Sequence, residues 1–268
     1  MPTNATFQAQ AINDHIVKWL RNYATNAKVK GFVVGISGGI DSALTSTLCA
    51  LTGLPTLCIE MPIHQPPAHV SRAQEHIKYL KENFTNVSSA LADLTPVFET
   101  FKQQVTGTDN EHALYLSLAN TRARLRMTTL YYFAGINSAL VAGTGNKVED
   151  FGVGFFTKYG DGGVDISPIA DLTKTEVRLL ARHLNISKSI LVAKPADGLF
   201  HDDRSDEDQL GASYEELERA MEQMADGISA GDLEGREKEV FEIYRRLNTA
   251  NRHKMVPIPV CEIPAGLK

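Results

Sequence analysis

At 268 residues, with 43% hydrophobic and 22% charged side chains, the chain can close one sizeable α/β core. A formal net charge of −5 argues against a polyanion such as tRNA as the main partner, and no apolar run approaches the roughly 18 residues of a membrane span. The three cysteines, Cys49, Cys58 and Cys261, form no Cys-x-x-Cys pair, which removes zinc and a disulfide framework and leaves three small core residues.

In chain order, Met1 to Gln10 lacks a basic stretch followed by an apolar one, so the expected location is the cytoplasm. Ile12, Ile16, Trp19, Leu20 and Tyr23 recur at helical spacing and predict a helix from about Gln10 to Ala24. Strands are predicted at Phe32 to Ile36, Thr56 to Met61, Val87 to Ala90 and Ala139 to Ala142, each bounded by Gly, Pro or polar residues. Helical patterns separate them at Ser42 to Leu51, Ala68 to Glu82 and Glu111 to about Tyr132. The remainder from Thr173 is mainly helical, and Pro257 with Pro259 stops the last helix. Strands alternating with helices imply a doubly wound parallel sheet with helices on both faces.

The densest chemical signal lies at Gly35-Ile36-Ser37-Gly38-Gly39-Ile40-Asp41-Ser42, between the first predicted strand and the helix after it. Two adjacent glycines let the backbone turn sharply with its amides inward, and the helix start adds partial positive charge: an anion cradle at the carboxyl edge of the sheet. A Walker loop ends in Lys-Ser or Lys-Thr, whereas Asp41-Ser42 stands here. A carboxylate beside phosphates is repelled unless a divalent cation lies between, so Asp41 predicts Mg²⁺ at the phosphates of a nucleotide. The plain alternative is a helix capped after a glycine turn.

A second strand-to-glycine turn, Gly143-Thr144-Gly145-Asn146-Lys147-Val148-Glu149, puts Glu149 within reach of a shared cation with Asp41, or leaves it on a surface turn in solvent. The glycine-rich run Gly154 to Asp165 carries Lys158, Asp161 and Asp165 and fits either a loop pressed on a ligand or an Asp-Gly hairpin turn. Arg122 and Arg126 share a helix face that either grips an anion or is salt-bridged in solvent. The acidic run Pro195 to Asp208 reads as a lid over a nucleotide or a solvated connection.

The Ser37 to Ser42 string resembles the pyrophosphate-loop signature of ATP pyrophosphatases that adenylate a substrate. Adding the Thr157 to Asp165 loop and the Ser205-Asp206-Glu207-Asp208-Gln209-Leu210-Gly211 run, the likeness extends from Phe32 to Pro257 and points to the ammonia-dependent NAD synthetases. The resemblance implies an adenine nucleotide alpha hydrolase-like fold in a single domain over 1–268, with an ATP-binding core at about 28–190 and a helical C-terminal part at about 206–256. It implies amidation of deamido-NAD with ammonia through an acyl adenylate, with ATP as the activating substrate and Mg²⁺ as cofactor. Gly35 to Ser42 (including Ile36, Ser37, Gly38, Gly39 and Ile40), Thr144 and Lys174 would then contact ATP, Lys174 acting also in catalysis, while Asp41 and Glu149 hold the metal. Arg122, Lys158, Asp165, His253 and Lys254 would contact deamido-NAD, and Asp161 would bind ammonium and take its proton. A homodimer with the dinucleotide across its interface is expected, without nucleic acid or membrane.

On the bare residues, His253 and Lys254 equally fit charge complementing a helix C-terminus. Ala196 stands where the family has a hydroxyl that touches ATP, and the stretch Glu149 to Lys158 is slightly longer than the family's. The chain carries no added amidohydrolase domain with a catalytic Cys, so free ammonia is the expected nitrogen source. The alternatives are another adenylating enzyme, such as a GMP synthetase core or a tRNA thiolase, and a nucleotide-binding module without turnover. A thiolase would want paired cysteines and a basic surface, and the sequence offers neither.

Overall fold

The computed structural model describes residues 7–193 and 205–268. Four parallel strands, β1 (Gly31–Gly35), β2 (Thr56–Glu60), β3 (Val87–Leu91) and β4 (Ala139–Val141), form one sheet in the order β3-β2-β1-β4. The order reverses beside β1, where crossovers diverge to either side and a crevice opens at the carboxyl ends of β1 and β4.

Side chains of β1 alternate between two apolar clusters. Phe32 and Val34 join α1 (Ala9–Asn26), α2 (Ile40–Leu51), α3 (Pro67–Asn83), α6 (Lys174–His183) and α7 (Lys188–Leu191) on one face, while Val33 joins α5 (Glu111–Asn137) on the other. Both faces of the sheet are therefore covered, which is why β1 reads as a continuous apolar run. A third cluster gathers α8 (Asp206–Leu210), α9 (Tyr214–Ala225) and α10 (Gly235–Met255) around Tyr214, Phe241 and Tyr244, and it takes in Val148 and Val153 of the core.

Of the three cysteines expected in the core, Cys49 and Cys58 are buried but Cys261 is exposed, and the structure departs from the sequence expectations in three further places. Helix α4 (Thr95–Gln104) was not expected; of its apolar residues only Phe98 is buried, so its stripe is too thin to register. Helix α5 runs five residues past Tyr132 to Asn137, where Ser138 takes the left-handed conformation, φ 51°, that ends it. Between β4 and α6, Val148–Val153 forms a π-helical turn. A π-turn holds one residue more than an α-turn, so side chains on this stretch do not follow helical periodicity. Ala196 and most of the acidic run, residues 195–204, lie outside the described residues.

Candidate active site

The crevice is a cavity of about 730 Å³ whose wall includes Gly35, Ile36, Ser37, Gly39, Ile40, Asp41 and Ser42 of the first loop. Gly38 has φ +80°, and a Cβ there would lie 2.4 Å from the His69 carbonyl oxygen, so the turn admits only glycine. Ser37 and Ser42 brace the loop through their hydroxyls, 3.0 Å apart, and Arg72 Nε donates to the Gly38 carbonyl from α3. No side chain caps α2, so the amides of its first turn are left for a ligand at the cavity wall.

At the floor, Lys174 Nζ donates to Asp41 Oδ2 at 2.6 Å and to Glu149 Oε1 at 2.9 Å. Lys174 is only 2% exposed. Its position follows from a capping box at the start of α6, where Thr173 Oγ1 accepts from Glu176 N and the Glu176 carboxylate accepts from Thr173 N, so that Lys174 opens the helix. Asn146, wholly buried, joins the two loops: its Nδ2 donates to Asp41 Oδ1 at 3.2 Å and its Oδ1 accepts from the amides of Val148 and Glu149. Tyr214 Oη, at the start of α9, donates to Glu149 Oε1 at 2.5 Å.

Burial and the Glu149 charge raise the Asp41 pKa more than Lys174 lowers it. Burial also pushes Glu149 up, but Lys174 and the Tyr214 hydroxyl overcome that and hold it below the usual carboxylate range. Burial works against the Lys174 ammonium, and the two carboxylates more than restore it. Burial, with the Glu149 and Asp206 charges, raises the Tyr214 phenol so far that it stays a donor. Asp150, next on the π-turn, is pushed up to about 8, first by burial and then by Glu149, Asp161 and Asp41.

Asp161 and Lys254 also line the cavity, as does Thr144. Asp161 lies at the rim, where its Oδ1 accepts from Thr157 N and the crowding of its carboxylate by protein raises its pKa. Lys254 Nζ donates to the carbonyls of Gly154 and Phe156, stapling α10 to the glycine-rich loop, and burial lowers its pKa. The structure thus collects the first loop, Thr144, Lys174, the two carboxylates, Asp161 and Lys254 around one space.

Four expected substrate contacts lie outside the cavity wall. Lys158 Nζ donates to the His253 carbonyl, and Arg122 is buried with its guanidinium over the Phe98 ring. Asp165 accepts from Val141 N and Tyr131 Oη, closing the end of β4, and His253 is exposed with its Nδ1 near the Ala250 carbonyl. Sequence reasoning missed Asn146, Asp150 and Tyr214. Asn146 had a readable signal, an Asn directly after Gly143-Thr144-Gly145, whereas Tyr214 reaches the site from 65 residues beyond Glu149.

Among the described residues no group of three or more His, Cys, Asp or Glu side chains is assembled to hold a metal. Two hard carboxylates beside an anion cradle are the donor set expected of Mg²⁺, which takes one or two protein carboxylates and completes its shell with phosphate oxygens and water. The residues therefore fit a cation that arrives with a polyphosphate.

Similarity to known proteins agrees with this geometry. A profile of the NAD synthase family matches residues 12–257. The NH(3)-dependent NAD(+) synthetase of Methanosarcina mazei is 36% identical over 93% of this chain and 97% of its own length, and that of Carboxydothermus hydrogenoformans is 34% identical over 90% and 93%. Among solved structures, an NMN synthetase from Francisella tularensis superposes with a TM-score of 0.80 at 30% identity, covering 97% of this chain and 99% of that one. The NH3-dependent NAD synthetase of Campylobacter jejuni, in complex with a nitrate ion, gives 0.76 at 25%, covering 95% and 100%. With its parallel sheet, uncapped loop and lysine-bridged carboxylates in place, the chain belongs to the NAD synthase family.

Proposed function

We propose that the protein is an ATP-dependent carbon–nitrogen ligase that converts deamido-NAD and ammonia to NAD, releasing AMP and pyrophosphate. The observation that carries this reading is the joining of the first loop, Asp41, Glu149 and Lys174 into one buried arrangement at the cavity floor.

The nicotinate carboxylate is a poor electrophile for ammonia and has to be activated. Its oxygen attacks the α-phosphorus of ATP, the bond to the β-phosphate oxygen breaks, and pyrophosphate leaves with the electron pair. Ammonia then attacks the acyl carbon, AMP departs, and the nitrogen loses a proton. In this scheme the amides of Ile40 to Ser42 hold the departing pyrophosphate, and Lys174 neutralises charge gathering on the phosphates. Asp41 and Glu149 would hold Mg²⁺, which supplies charge neutralisation on the phosphate oxygens. Asp161 binds ammonium and accepts its proton, a role suited to a carboxylate whose pKa is raised. No protein nucleophile is involved.

The second substrate is read as crossing a subunit interface. Supporting this, Arg122, Lys158, Asp165 and His253 do not line the cavity of their own chain, and Val97 and Phe101 of α4 with Tyr132 and Ile136 of α5 leave apolar side chains exposed. A homodimer is the corresponding assembly, measurable by light scattering. The core at about 28–190 and the helical part at about 206–256 are read as one domain, supported by the packing of Val148 and Val153 among the C-terminal helices. No helix among the described residues is long and apolar enough to cross a membrane, and the cytoplasm is the proposed location.

The decisive assay measures pyrophosphate release while omitting ATP, Mg²⁺, deamido-NAD and ammonium in turn. Release beyond about one equivalent per site is expected only with all four present, a single equivalent at most is expected when ammonium alone is left out, ammonium is expected to outperform glutamine, and nicotinate mononucleotide serves as the comparison substrate. Release that persists without either pyridine nucleotide overturns the reading. Asp41→Ala is expected to abolish release with an unchanged circular dichroism spectrum.

A further inference from the structure

The π-turn presents two consecutive carboxylates, Glu149 and Asp150, and both line the cavity. Helical periodicity does not choose between neighbours on so wide a turn; bonding does. Glu149 Oε1 receives two donors, Lys174 Nζ and Tyr214 Oη. The Asp150 carboxylate instead lies against Gly145, where a Cβ would sit 2.1 to 2.3 Å from it.

Of the two carboxylates within reach of the Tyr214 hydroxyl, Glu149 Oε1 at 2.5 Å is much nearer than Asp206 Oδ2 at 3.4 Å, and Tyr214 is itself held in place. It opens α9 behind a capping box of Ser213 and Glu216, its amide donates to Glu207 Oε1 at 3.0 Å, and its ring is fully buried in the C-terminal cluster. Lys174 Nζ stands 4.8 Å from the ring centroid, so one side chain touches both the ammonium and the carboxylate it serves. Other donors from the C-terminal helices also reach the turn: Asn248 Nδ2 bonds the Gly152 carbonyl and Asn251 Nδ2 bonds the Val153 carbonyl. Those fix backbone. Among the described residues of α9 and α10, Tyr214 is the one that bonds a side-chain oxygen of the turn.

We propose that Tyr214 is a positioning residue whose hydroxyl selects Glu149 over Asp150 and aims its carboxylate at the cation site beside Asp41. Through this bond the helical C-terminal part sets the geometry of the phosphate-side carboxylates, although it contributes neither of them. Both donors end on Oε1 and neither uses Oε2, so pinning one oxygen fixes the direction of the other. The inference rests on reading Glu149 as a cation ligand.

The test uses the full-length protein with Mn²⁺ as the paramagnetic probe, titrated by electron paramagnetic resonance in the presence of α,β-methylene ATP, so that no turnover is needed. Loss of a hydrogen bond to a metal-binding carboxylate weakens metal affinity by about 10-fold to 100-fold. Tyr214→Phe, which keeps the ring, is therefore expected to raise the Mn²⁺ dissociation constant about 10-fold. Tyr244→Phe removes a hydroxyl from the same cluster and is expected to change nothing. Glu149→Gln is expected to weaken Mn²⁺ on its own, and adding Tyr214→Phe to it should produce no further loss. If Tyr214→Phe binds Mn²⁺ as wild type while Glu149→Gln does not, the inference fails and the cation reading stands. If Glu149→Gln also binds as wild type, both fail. Equal weakening by Tyr244→Phe, or a full further loss in the double variant, assigns the effect to packing and overturns the inference.

Discussion

His76 offers a measurement in which the structure fixes both sign and size. The imidazole is 1% exposed on α3 and lies under α2, with Nε2 3.0 Å from Ser46 Oγ. Ser46 commits its own hydrogen to the Ser42 carbonyl at 2.7 Å, so it can only accept from His76, which places the imidazole proton on Nε2. Nδ1 is then a buried atom with no partner. Burial lowers the His76 pKa to about 4, with the Ala43 carbonyl and the Glu75 charge pulling back only in part. The unfolded chain, with an ordinary pKa of about 6.5, binds the proton more readily between those values, so stability is full above about pH 6.5 and falls with acidification. The gap of about 2.5 units amounts to about 3 kcal/mol below pH 4, of which about 2 kcal/mol is already lost at pH 5. His76→Gln keeps an N–H at the Nε2 position and removes the titration. Urea unfolding of both proteins at intervals from pH 7.5 to 5 should show their stability difference shifting by about 2 kcal/mol toward the variant. Carboxylates such as Asp150 titrate in both proteins and cancel. A difference that stays flat across this range, or an imidazole resonance that titrates near pH 6.5, refutes the reasoning.

Lys174→Met leaves Asp41 and Glu149 facing one another without a cation; it should cost about 3–5 kcal/mol in urea unfolding and abolish pyrophosphate release. Gly38→Ala should cost more than Gly53→Ala: both glycines have positive φ, +80° and +74°, but a Cβ at Gly53 meets nothing within 4 Å whereas one at Gly38 meets the His69 carbonyl. The Gly53 variant should lose about 1–2 kcal/mol in thermal unfolding with an unchanged KM for ATP, and the Gly38 variant should also raise that KM. Asn146→Ala removes the bond to Asp41 and the carbonyl oxygen that accepts from the amides of Val148 and Glu149; it should destabilise by about 2–3 kcal/mol and reduce turnover, and Asn146→Asp should not rescue activity because it sets a further negative charge beside Asp41.

The strands were readable because both sheet faces are covered: Phe32, Val33 and Val34 form an unbroken apolar run whose ends fall within a residue of those observed. The first loop was readable for a different reason, since glycine pairing and a terminal Asp-Ser are local facts. Helix α4 was not, because its single buried residue, Phe98, leaves no stripe to detect. The π-turn escaped for want of a matching period. Tyr214 sits in a recognisable capping pattern, Ser213 to Glu216, which announces a helix start and says nothing of the carboxylate at the hydroxyl's other end. What a residue does locally is written nearby; what it meets across the fold is not.

The surplus residue in Val148–Val153 also bears on how this stretch can change. In a regular helix each position turns the side chain by about 100°, so deleting one residue here would let the coil tighten while sweeping a different group into the place Glu149 now occupies. Insertions and deletions in this stretch should therefore be far more damaging than point substitutions of its outward side chains, such as the exposed Phe151. The number of residues here, as well as their identity, decides which carboxylate reaches the cavity.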